Sequence, residues 1–108
     1  MSKASYWQRG ETLDYKNGTE TTIEANTVVK LAERIGIAGT DILPGAVGDI
    51  HVSGVFEFEK TSENAIPMGT SVYFDETGIT ETEDANTPAG FAAADAAAED
   101  DKIFVKIG

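Results

Sequence analysis

With 108 residues, 41% of them hydrophobic, the chain has room for one modest core and is too apolar to be a disordered segment. Nineteen Asp and Glu against eight Lys and Arg give a formal charge of −11. That charge disfavours phosphate backbones and anionic lipid and fits a partner with basic patches. The absence of cysteine excludes disulfides, Cys-ligated zinc and thiol nucleophiles.

The first nine residues, Met1 to Arg9, lack the apolar run of a signal peptide, and no stretch approaches the ~18 apolar residues of a spanning helix. A soluble, non-exported protein without a membrane partner is expected. Lys3 to Arg9 is rich in aromatic and polar residues and has no helical period, so residues 1–10 read as an N-terminal arm or an edge strand. Thr12 to Lys16 alternates and runs into Asn17-Gly18, a strong hairpin signal that makes Thr19 to Ile23 the expected return strand. Thr27 to Leu31 and Arg34 to Ala38 are β-branched runs. Ala25 to Arg34 could also be read as a helix capped by Asn26 or Thr27, but the β-branched residues and nearby glycines favour strands.

Pro44-Gly45 predicts a type II turn. Ile50 to Lys60 is the clearest strand, with Ile50, Val52, Gly54, Phe56 and Phe58 on one face and His51, Ser53, Glu57 and Glu59 on the other. Gly54 in its middle suggests a bulge or bend. Pro67-Met68-Gly69 is a second turn of similar flavour to Pro44-Gly45, a faint sign of an internal repeat. Ser71 to Phe74 and Gly78 to Thr82 form a hairpin across Asp75-Glu76-Thr77. Pro88 to Ala94 reads as a strand, Asp95 to Ala98 as one helical turn, Glu99 to Asp101 as an acidic loop and Lys102 to Ile107 as the last strand. The whole is a single all-β domain over residues 1–108: a compact barrel or sandwich of about eight or nine short strands with at most one short helix.

Reactive chemistry is scarce. His51 is the only histidine and reads as a solvated side chain on a polar strand face. Glu57 and Glu59 share a face and could pair, while Glu81 lies in the second strand of the Ser71 to Thr82 hairpin and Glu83 and Asp84 in a polar loop over Glu83 to Thr87. Glu99, Asp100 and Asp101 could hold a divalent cation weakly, but they read better as a solvated acidic loop. Gly45-Ala46-Val47-Gly48 leads into Asp49 where a phosphate loop would need Lys and a hydroxyl residue, and Ser71 has no His partner in sight. No catalytic constellation and no cofactor are expected, which counts against a small β-barrel enzyme. Tyr6, Trp7 and Tyr15 beside Arg9 and Lys16 could stack on bases, but with this charge they read better as interface anchors or core staples.

Taken in order, several short motifs form a set: Tyr6-x-Gln8-Arg9-Gly10-Glu11-x-x-Asp14-Tyr15, Gly36-Ile37-Ala38, Ile42-x-Pro44-Gly45-x-x-Gly48, Val52-x-Gly54-Val55-Phe56, Ala65-Ile66-x-x-Gly69-x-x-Val72-Tyr73-Phe74-Asp75 and Gly90-Phe91-Ala92. The set resembles a family of small phage and prophage proteins of unknown function. Its members are labelled predicted RecA/RadA-type recombinases, or described as capsid cement or decoration proteins. The family is similar in size and β-rich character to the head decoration protein of lambdoid phages, which implies a β-clip-like fold, a homotrimer and binding to the major capsid protein. A virion protein made in the host cytoplasm and seated on the capsid surface follows as an expectation, with no nucleic acid bound. The other label would make it a DNA-associated recombination accessory protein, but a recombinase needs a parallel sheet with helices and a phosphate loop, and the residues supply neither. Tyr6, Trp7, Gln8 and Arg9 are the candidate capsid contacts, through an edge strand that could add to a capsid sheet.

Overall fold

The computed structural model describes residues 3–108 and holds nine short strands. They are β1 (Thr12–Lys16), β2 (Val28–Lys30), β3 (Ile35–Ala38), β4 (Val47–His51), β5 (Gly54–Glu59), β6 (Ser71–Phe74), β7 (Ile79–Thr80), β8 (Thr87–Ala92) and β9 (Lys102–Ile107). Two open antiparallel sheets result, in the orders β1-β4-β3-β2 and β5-β9-β8-β6-β7. The architecture is sandwich-like rather than a closed barrel, and no helix occurs among the described residues.

The two sheets are built to one plan. β1, β2, β3 and β4 correspond to β5, β6, β8 and β9, with β7 lying in an insertion of the second unit. The registers coincide. Val29 opposes Gly36 as Val72 opposes Gly90, Ile37 opposes His51 as Phe91 opposes Lys106, and Ala38 opposes Ile50 as Ala92 opposes Val105. Outside the strands, the bridge between Ile23 and Ile42 has its counterpart between Ile66 and Ala96. The N–H of Ala25 donates to Asp41 Oδ1 at 2.8 Å, and that of Met68 donates to Asp95 Oδ1 at 2.8 Å. Even the buried polar residues correspond. Asn17 Nδ2 donates to the carbonyls of Thr21 and Ile42, both at 2.8 Å, and Lys60 Nζ donates to those of Ser62 and Ala98 at 2.6 and 3.3 Å. In each case a buried side-chain donor ties together carbonyls of two separate loop segments.

The repeat foreshadowed by the two Pro-containing turns is therefore present, in a different register. Each of β2, β4, β6, β8 and β9 follows a tight turn closed by an i to i+3 hydrogen bond. Leu43-Pro44-Gly45-Ala46 is the expected type II turn, with Gly45 at φ 77°. By position, however, it matches Ala97-Ala98-Glu99-Asp100. Pro67-Met68-Gly69-Thr70 instead matches Glu24-Ala25-Asn26-Thr27, where Asn26 takes the positive φ.

Three local expectations are corrected. Asn17-Gly18 is not a hairpin turn: Asn17 is fully buried, Thr19 to Ile23 is irregular, and β1 pairs with the distant β4. A buried amide that ties down a loop carries the same sequence signal as an exposed turn. The run Ile50 to Lys60 is two strands in different sheets, broken at Val52-Ser53, with Gly54 at φ 117° making the bend. Asp95 to Ala98 is a bridge and a turn rather than a helical turn.

Each unit has its own core. The first is Val29, Ala38, Ile42 and Ile50, flanked by Tyr15, Ile23, Leu31, Ala46 and Val52. The second gathers Phe58, Ile66, Val72, Ile79, Ala92, Ala96, Ile103, Val105 and Ile107. Ile35 and Ile37 of the first unit belong to the second cluster, with Val28, Phe56 and Phe74 packed against it, and they join the two units.

Candidate interaction surface

The four residues singled out at the N-terminus lie in a segment without regular structure, outside both sheets. Residues 3–10 are all exposed, and Tyr6 and Trp7 keep 85% and 89% of their surface in solvent. Gln8 Nε2 donates to the Thr12 carbonyl at 3.2 Å, and the N–H of Glu11 donates to the Arg9 carbonyl at 2.9 Å; these bonds hold the root of the segment. The segment carries Lys3 and Arg9 and no carboxylate, so its charge is opposite to that of the acidic body it leaves. Two large aromatic side chains free of the core, on a cationic tether, are suited to entering a pocket on another molecule.

A second exposed apolar patch was not foreseen. On the outer face of the second sheet, Val55, Phe104 and Phe91 are 57%, 49% and 39% exposed. The registers place them together: Val55 and Phe91 both oppose Lys106, and Phe104 opposes Glu57. Lys106 Nζ lies 6.0 Å from the centre of the Phe91 ring. At the rim Lys102 pairs with Glu59, which holds the ammonium above its usual range. The strand alternation that turns Phe56, Phe58, Ile103 and Val105 inward makes their neighbours face outward, but it does not say whether that outer face is covered.

Between the units runs a groove of about 670 Å³, lined by Leu13, Leu31 and Val52 of the first unit and Val72, Tyr73 and Ala89 of the second. The exposed side chains of Glu33, Arg34 and Glu83 also line it.

The remaining candidates are dispersed. His51 is half-buried rather than solvated, its ring 5.8 Å from that of Phe56 where the units meet. Sequence alternation assigned it to a polar face, but that face is covered by the second unit. Glu57 and Glu59 project from the outer face of β5. Of the acidic triplet, Asp100 Oδ2 accepts a bond from the Ala97 N–H at 2.8 Å, and the Asp101 carbonyl accepts one from the Lys60 N–H at 2.9 Å. Among the described residues no three His, Asp or Glu side chains gather into a metal-binding group.

Asp75 serves the fold. Burial alone would raise its pKa, but hydrogen bonds from Thr61 Oγ1 at 2.6 Å and from the N–H groups of Gly78 and Thr77 outweigh burial and hold it below the ordinary carboxylate value. A depressed folded-state pKa stabilises the protein above the unfolded carboxylate's pKa, about 4, and that contribution is lost as pH falls through the folded value. Asp75→Asn is therefore expected to lower the urea midpoint at pH 7, with the gap to the parent protein closing in acid below that point. A gap that is constant with pH would show that the carboxylate charge is not what the β6–β7 turn uses.

A sequence profile of the family described as phage cement protein matches residues 7–107. No curated protein and no solved structure matches the chain.

Proposed function

The chain belongs to the phage cement protein family, and on that premise we propose that it binds the lattice of the major capsid protein on the outside of the phage head and stabilises the mature shell. The match over nearly the whole chain is the observation that carries this reading. The physical mechanism is mass action. A ligand that binds only the expanded shell lowers that state's free energy, and many weak copies on a repeating lattice add up to strong retention. Cement proteins are structural, and the work proposed here is adhesion alone. A homotrimer would suit a threefold lattice position and would cover apolar surface that a small monomer leaves bare.

Tyr6, Trp7, Gln8 and Arg9 are proposed as capsid anchors. What supports this is their exposure and the cationic segment that carries them. The test is co-sedimentation with expanded empty heads. The full chain is expected to pellet with the heads. A chain lacking residues 1–9 should melt close to the parent, because β1 begins at Thr12, and should lose most of its occupancy. Full occupancy by the truncated chain would remove the anchoring role, and a full chain left in the supernatant would remove the capsid role.

A further inference from the structure

The two units of the chain pack head to tail: the outer face of the first, with Ile37 and His51, lies against the inner, open end of the second. Ile35 and Ile37 are buried in the second unit's cluster, and His51 meets Phe56. The corresponding outer face of the second unit, with Phe91 opposite Lys106 and Phe104 beside them, is bare. The receiving surface also exists twice. Phe56, Phe74 and Ile107 at the open end of the second unit correspond to Leu13, Leu31 and Val52 of the first, and these three line the groove. One chain thus uses one donor face and one acceptor end, and leaves one of each unused.

We propose that the unused pair meet between copies: the Val55–Phe91–Phe104 face of one chain seats on the Leu13–Leu31–Val52 end of a second copy. This deepens the self-association proposed above and rests on it. Charge favours the match. Lys102 and Lys106 offset Glu57 and Glu59, so the donor face is neutral on a chain of charge −11 and escapes the general repulsion. Lys106, which has no ion-pair partner among the described residues, would approach a groove where the exposed Glu33 and Glu83 outnumber the one cation, Arg34. The groove is lined by both units, so the new contact would continue the interface that already joins them. A contact between two different surfaces is heterologous, and in a closed assembly it generates a ring.

The test uses sedimentation equilibrium of the full chain, of Phe104→Glu and of Leu13→Glu. Both positions are more than two-fifths exposed, so each variant should fold; Val55→Glu, at 57% exposed, substitutes for the first if it does not. Each variant alone is expected to associate at least tenfold more weakly than the parent. An equimolar mixture of the two should form a one-to-one dimer, because one intact donor face and one intact acceptor end remain. A mixture that stays monomeric, or variants that keep the parent's mass, would overturn the proposed faces while leaving self-association standing. A monomeric parent would overturn both, with head binding still judged separately by co-sedimentation. If Phe104→Glu left the oligomer intact but lowered occupancy on heads, the face would belong to the capsid subunit and the proposal would fail.

Discussion

Gly90→Ala is expected to abolish cooperative folding or come close to it. Gly90 has φ 133°, and a Cβ built on it would lie 2.0 Å from the carbonyl oxygen of Lys106 and 3.2 Å from the Cα of Ile107. Both obstacles are backbone of β9, which pairs with the central strand β8, so relief would require parting the two strands. The positive φ and the overpacking together cost about 4 kcal/mol or more. That is a large share of the roughly 5–15 kcal/mol that holds a domain folded. Gly36 supplies the control. It is the same position in the first unit and faces the carbonyl of the same partner, His51, but its Cβ would meet that oxygen at 3.2 Å and the movable Ile50 Cδ1 at 3.0 Å. Its φ is not positive, and Gly36→Ala should cost only about 1 kcal/mol. Urea unfolding of the two variants measures the difference; equal losses would mean that the second unit yields as readily as the first.

The second large effect lies in how the two cores fill the same space differently. Where the first unit has Ile42 and Gly48, the second has Ala96 and Ile103. A Cβ on Gly48 would stand 2.6 Å from Ile42 Cγ1, so the large side chain on one strand is possible only because its neighbour has none. Ile42→Ala should cost roughly 2–5 kcal/mol by opening a cavity, and Gly48→Ile alone should cost at least as much by collision. Combined, they reproduce the second unit's arrangement. The double variant is expected to be more stable than the sum of the single losses predicts by more than about 1 kcal/mol, measured in a double-mutant cycle. Strict additivity would mean that the two positions do not share the space the geometry gives them.

Much of this fold was legible in the sequence: β1 and β9 from alternation, β3 from its β-branched run and β6 from the turn that follows it all lie where the pattern puts them. Pairing was less legible. The partner of Thr12 to Lys16 lies thirty-odd residues away rather than across Asn17-Gly18, and no local signal distinguishes a buried Asn from a turn Asn. The duplication did leave a trace. Gly36-Ile37-Ala38 and Gly90-Phe91-Ala92 are each followed by an aspartate three residues on, Asp41 and Asp95, which accept the same backbone bond. The insertion carrying β7 breaks the period and hides it. At the candidate surface, Tyr6 and Trp7 were readable as interface residues or core staples, and their exposure removes the second of these. The outer patch of the second sheet was not, because whether an outward face is covered depends on where the other unit packs, as His51 and Phe91 show from opposite sides.

Two halves with matching hydrogen-bond ladders create a hazard during folding: β9 could zip onto the strands meant for β4, within one chain or across two. The unequal filling of the cores works against that exchange. A misplaced β9 would bring Ile103 up against Ile42, where there is no room, and would abandon Gly48 beside Ala96, leaving a hollow. Divergence between the halves thus acts as a key that lets each strand recognise its own half.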